Sequence, residues 1–102
     1  MTPTKVIDAA SRISGMPRED FTTATRIPKC AEIRHLAIWG IAQLPDRPSH
    51  ARITALFGFR DTSNVGYSIK KAQDLWDTCP KFRRMRDQLE TEIKASLKEV
   101  AA

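Results

Sequence analysis

The sequence predicts an all-α protein, a compact helical bundle of about six helices in a single domain spanning residues 1–102. Three observations carry that expectation. Apolar residues recur at spacings of three and four along most of the chain, the signature of helices with one buried stripe. Proline and glycine interrupt the pattern where helices would start and stop. No stretch alternates apolar and polar residues as a half-buried strand would.

In the first helix Val6, Ala10 and Ile13 share a face, and Gly15 is placed to end it in a left-handed cap. Residues 16–21 form one short turn, with Pro17 at its start and Phe21 turned inward. The threonine-rich segment over about residues 22–29 is poor helix-forming sequence, and reads as a basic loop holding Arg26 and Lys29. A third helix is expected from about Lys29 to Leu44, with Ile33, Leu36, Ala37, Ile41 and Leu44 in register and Pro45 as its stop. Residues 46–49 make a turn, and Ser49 is a good N-cap for a helix ending near Phe57. The fifth helix carries Val65, Ile69, Ala72 and Trp76 on one face, with Thr62 as a candidate N-cap. Thr78-Cys79-Pro80 breaks it, and Pro80 opens a closing helix over about residues 80–100 with Phe82, Met85, Leu89, Ile93 and Leu97 as its stripe.

Charge narrows the choice of partners. The formal net charge is +5 and the isoelectric point about 9.6, so the surface carries a positive potential that favours nucleic acid first and anionic membrane second. No apolar run approaches the roughly 20 residues needed to cross a bilayer, and the N-terminus has no signal-peptide core. Cys30 and Cys79 lack metal-type spacing and read as reduced thiols of a cytosolic protein. His35 and His50 are isolated, so no metal is expected. No nucleophile–base pair, carboxylate dyad or cofactor loop is visible, which argues against an enzyme, a cofactor or a small-molecule substrate.

The two helices flanking residues 57–61 make a helix-turn-helix pattern over about residues 49–77: a short helix, a glycine-containing link, and a second helix that opens on polar residues. By pattern alone this is either a groove reader or an ordinary turn between core helices. At about 100° per residue, Ser63, Tyr67, Lys70 and Lys71 lie opposite the apolar face, with Asn64 on one flank. Hydrogen-bonding side chains at the tip and lysines behind them are the order a groove reader needs. The alternative is a solvated face, which Asp74 at its far end favours. Gly66 costs about 1 kcal/mol against alanine inside a helix. Either another backbone or a ligand comes close there, or the glycine is tolerated drift.

The stretch Phe57-Gly58-Phe59-Arg60-Asp61-Thr62-Ser63-Asn64-Val65 resembles the FGGRDHTTV signature of the C-terminal DNA-binding domain of the bacterial chromosomal replication initiator DnaA. Upstream, Arg34-His35-Leu36-Ala37-Ile38-Trp39 is similar to the family's RQIAMY helix start, and Ile53 and Phe57 fall where its next helix is apolar. Downstream, Lys70-Lys71, the Cys79-Pro80 break and a long amphipathic helix resemble the family's closing helices. The likeness covers roughly residues 4 to 98, with about one extra residue in the turn before Ser49.

The resemblance implies recognition by two elements. Arg26 of the basic loop enters the minor groove, where a narrow groove concentrates negative potential. Asp61, Thr62 and Ser63 enter the major groove, and Tyr67 on the outward face and Asn64 on its flank are further major-groove candidates. Asp61 would accept from a cytosine amino group, and Thr62 would offer a hydroxyl or a methyl. Lys29, Arg60, Lys70 and Lys71 are the candidate phosphate contacts. Arg60 and Asp61 also read as a local ion pair or cap holding the turn, and the two readings are compatible. Thr62-Ser63-Asn64 stands where the family has His-Thr-Thr, Phe59 replaces its second glycine, and the loop holds fewer cations. No Walker-type GxxxxGK[ST] occurs, so the chain has no evident ATP-driven step.

Two functions follow. In the first, the chain binds double-stranded DNA and regulates replication initiation or transcription in a bacterium or its phage, in the cytoplasm at the nucleoid. In the second it is a protein-interaction adaptor that keeps the fold with weak or no sequence-specific DNA binding. The closing helix bears on both. Lys81, Arg83, Arg84 and Arg86 open it, and its apolar stripe is longer than a small core needs. Its charges are either solvated, or its second half docks on a replication or transcription protein or another copy. Glu90, Glu92 and Glu99 argue against a membrane.

Overall fold

Six helices follow one another in a computed structural model of the chain: α1 (Pro3–Ser14), α2 (Arg18–Phe21), α3 (Pro28–Ala42), α4 (His50–Leu56), α5 (Ser63–Thr78) and α6 (Pro80–Ala101). The structure describes residues 1–23, 26–46 and 48–101, with side chains as far as Lys98, and no strand occurs among them. The all-α fold is thus as the periodicity predicts. No helix among the described residues is long and apolar enough to cross a membrane.

Local signals account for most boundaries. Thr2 accepts from the Lys5 backbone N–H at 3.3 Å, and Pro3 occupies the first turn of α1, where its missing N–H costs nothing. Gly15 ends that helix at φ 74°, donating to the Ser11 carbonyl. Ser49 caps α4 by accepting from Arg52 N–H at 3.2 Å. Phe21 of the single-turn α2 is fully buried.

The central element is α3, which packs against α1, α2, α5 and α6. The expected stripe of Ile33, Leu36, Ala37 and Ile41 is buried, but so are His35, Ile38, Trp39 and Gly40. A helix enclosed by neighbours on several sides is apolar around most of its circumference. It ends at Ala42, two residues before the expected stop; Gln43 and Leu44 continue as a turn, donating to Gly40 and Ile41 carbonyls at 3.1 Å, and Leu44 stays in the core. At Gly40 a Cβ would lie 2.8 Å from both Leu89 Cδ2 and Val6 Cγ1, so the side chains of α1 and α6 close on bare α3 backbone.

Gly66 is the opposite case. A Cβ there would meet nothing within 4 Å, so no neighbouring group of the described fold explains this glycine. The core face of α5 is also rotated from its expected position. Val65 and Ala72 are buried as expected, but Ser68 is the third fully enclosed residue, and Ile69 and Trp76 are only half-buried.

In α6, Phe82, Met85, Leu89 and Ile93 all enter the core, leaving Leu97 half-buried. The stripe that looked surplus is consumed as far as Ile93, because α6 packs on α1, α3 and α5 at once. Nor are two of its three opening arginines simply solvated. Arg86 lies over Trp39 at 4.3 Å and over Trp76 at 5.1 Å. Arg83 lies over Trp76 at 5.1 Å while donating to the carbonyls of Trp76 and Asp77 at 2.9 and 3.1 Å. Those carbonyls belong to the last turn of α5, where a cation complements the helix dipole.

Candidate nucleic-acid interface

The turn between α4 and α5 is anchored by its aromatics. Phe57 is fully buried, Gly58 takes a left-handed φ of 66°, and Phe59 swings back to donate its N–H to the Thr54 carbonyl at 3.1 Å. The Phe57 and Phe59 rings stack with centroids 6.2 Å apart. Phe59, which stands where the resemblance has a glycine, therefore acts as an apolar peg for the turn.

The start of α5 is held by Asp61 and not by Thr62. Thr62 occupies the cap position without a side-chain hydrogen bond, whereas Asp61 Oδ1 accepts from Ser63 N–H at 2.9 Å. Asn64 completes the knot: its Nδ2 donates to the Asp61 carbonyl at 3.1 Å. The cap reading of Asp61 is thus observed. Among the described residues no ion pair joins it to Arg60. Two of the five expected major-groove residues are engaged in holding the turn, while Thr62, Ser63 and Tyr67 stand exposed, as do Arg60, Lys70 and Lys71.

Of the expected basic loop, residues 24 and 25 lie outside the described residues and Lys29 belongs to the first turn of α3; the segment around it meets this region through two features. Arg34 of α3 donates to the Thr23 carbonyl at 3.1 Å and lays its guanidinium over the Phe59 ring at 5.2 Å. One side chain thereby ties the start of the loop to the turn before α5. Burial pulls the Arg34 pKa below its usual value, with Cys30 opposing that shift. Further along, Pro28, Lys29 and Glu32 of α3 and Tyr67, Lys71 and Leu75 of α5 line one open groove of about 490 Å³. Lys29 and Lys71 are exposed on its two sides, and Arg26 is exposed at the loop two residues before Pro28.

Beneath the groove sits a polar pair that sequence reasoning missed. His35 and Ser68, both buried, are hydrogen-bonded between Nδ1 and Oγ at 3.0 Å. Tyr67 stands edge-on to the His35 ring at 5.9 Å, so its phenol is braced while 60% of the residue remains exposed. Burial first, and then the positive charges of Arg34 and Lys71, lower the His35 pKa to about 4, leaving it neutral near pH 7.

The structure thus gathers Lys29, Tyr67 and Lys71 at one groove and Asp61 and Asn64 at one cap. Thr62, Ser63, Arg60 and Lys70 remain on exposed surface of the turn and α5. Arg34, His35 and Ser68 were not singled out as supports from the sequence. A serine three residues after Val65 was the available signal, since it falls on the same helix face. Among the described residues no group of three His, Cys, Asp or Glu could hold a metal ion. No protein-family model and no curated protein matches the chain.

Proposed function

We propose that this chain is a double-stranded DNA-binding protein that regulates replication initiation or transcription at a bacterial or phage nucleoid, a reading that rests on the resemblance to the DnaA C-terminal domain. The exposed first turns of α5 read the major groove through Thr62, Ser63 and Tyr67, with the free oxygen of Asp61 beside them. Arg26 enters the minor groove, and Lys29, Arg60, Lys70 and Lys71 neutralise phosphates. The observation that supports this best is the shared groove: Lys29 and Lys71 flank it from two elements, so the start of α3 and α5 present cations to the same side. No catalytic step, cofactor or small-molecule substrate belongs to this role.

The second reading is the adaptor. What favours it is the cap itself, where one Asp61 oxygen and the Asn64 amide are already occupied. That leaves fewer side chains free to specify a sequence.

A titration separates the two. The chain is mixed with a duplex carrying an initiator-type box and with a scrambled duplex, each over a range of salt concentrations. DNA reading requires tighter binding to one duplex and a log–log salt slope of about 0.9 per neutralised phosphate. Arg26→Ala is expected to cost about 1–3 kcal/mol, and Lys70→Ala and Lys71→Ala to lower the slope by about 1 each. Binding that ignores sequence leaves the adaptor reading ahead, and no binding to either duplex at low salt ends the DNA reading.

A further inference from the structure

Only two large apolar side chains among the described residues are well exposed, Ile27 and Tyr67, each at 60%. Tyr67 lines the groove between α3 and α5, and Ile27 immediately precedes Pro28, which lines the other side of it. Ile27 is therefore an aliphatic residue on a cationic rim, between exposed Arg26 and exposed Lys29.

The backbone under Ile27 is well defined. It is the N-cap of α3, extended at φ −65° and ψ 120°, and its carbonyl accepts from Ala31 N–H at 2.9 Å. Pro28 follows at the first helical position and restricts the preceding residue to extended geometry. The side chain is β-branched, so it has few rotamers to lose. A stiff apolar side chain on an anchored backbone, beside an arginine, matches the chemistry of minor-groove proteins that insert aliphatic residues between base pairs.

We propose that Ile27 is an apolar wedge. Resting on the DNA-binding role above, Ile27 enters the minor groove next to Arg26, partly unstacks one base step, and bends the duplex toward the major groove. The favoured sites are pyrimidine–purine steps, which unstack most readily. Arg26 supplies attraction to the groove and Ile27 supplies the deformation, so the pair selects for flexible sequence without a hydrogen bond to any base.

The test uses the full chain and duplexes carrying an initiator-type box, with 2-aminopurine substituted in turn at each adenine. Unstacking raises the emission of this base several-fold. The expected result is such a rise at one step on binding, its loss with Ile27→Ala, and its retention with Ile27→Met, with the salt slope the same for all three proteins. Ile27 is exposed, so neither substitution removes a core contact. A duplex that binds with no rise at any position, or with the same rise for Ile27→Ala, overturns the wedge and leaves the DNA-binding role standing. Failure of the parent chain to bind any duplex at low salt overturns both.

Discussion

His35 and Ser68 are hydrogen-bonded at 3.0 Å across the buried contact between α3 and α5. The rotation of α5 about its own axis, and with it the direction of Tyr67 and Lys71, is therefore set by a polar pair as well as by apolar packing. A buried hydroxyl or imidazole left without its partner costs about 1–3 kcal/mol, so the pair opposes any α5 rotation that separates it.

That pair makes stability depend on pH. The folded-state pKa of His35 is about 4, against an ordinary value of 6.5. Between those values the unfolded chain binds a proton that the folded chain does not, so acid favours unfolding. Stability contributed by neutral His35 is complete above about pH 6.5, falls as pH drops toward 4, and changes no further below that. At about 1.4 kcal/mol per pH unit the full effect is roughly 3 kcal/mol. Urea midpoints measured across this window should show the slope, and His35→Gln should flatten it whatever its effect on absolute stability.

Two glycines should respond oppositely to alanine. Gly66→Ala places its Cβ in open space and removes a flexible residue from a helix, which should stabilise by up to about 1 kcal/mol. Gly40→Ala forces a Cβ to within 2.8 Å of Leu89 and Val6. Overpacking of this kind costs about 1–3 kcal/mol, which should outweigh the helix-propensity gain. Thermal denaturation of the two variants side by side checks the contrast. A loss of duplex affinity in stable Gly66→Ala would show that DNA backbone passes close to this residue.

Arg86 should matter more than a surface arginine. Its guanidinium lies over both tryptophans of the chain, and its buried Nε has no hydrogen-bond partner among the described residues. Cation–π contacts are worth about 0.5–2 kcal/mol each depending on desolvation, so Arg86→Ala should destabilise by about 2 kcal/mol. Lysine lacks the planar group that stacks, and Arg86→Lys should recover only part of that. Chemical denaturation followed by the emission of Trp39 and Trp76 reports both stability and the local environment.

Asp61 combines a structural and a proposed reading role that substitution can separate. Asp61→Ala removes the acceptor for Ser63 N–H and should cost about 1 kcal/mol, as cap losses do. Asp61→Asn keeps a side-chain oxygen for that turn and should fold with near-parent stability. If the carboxylate also accepts from cytosine, Asp61→Asn changes base preference in the duplex titration while its melting temperature is unchanged.

Much of the fold was legible in the sequence because its signals are local. Gly15 and Ser49 mark helix ends through their own backbone and side-chain chemistry, and the stripe from Phe82 to Ile93 needs only the helical repeat to be seen. The substitution of Asp61 for Thr62 as the cap was harder to read, since both residue types serve and only the turn geometry chooses between them. Arg83 and Arg86 looked like solvated charge for a related reason. A sequence records their charge but not the tryptophan faces that receive them.

By itself, then, the sequence determined an all-α chain, the order of its six helices, and the polar outer face of α5. Tertiary structure decided which sides of those helices are inside. It enclosed α3 around most of its circumference, selected Ser68 over Ile69 as the third buried residue of α5, and placed the close approach at Gly40 and not at Gly66. It also brought Lys29 and Lys71 to one groove and linked the loop to the turn through Arg34. Helical periodicity is a property of neighbours along the chain, whereas burial depends on which other helices arrive, and that is settled only when all six pack together.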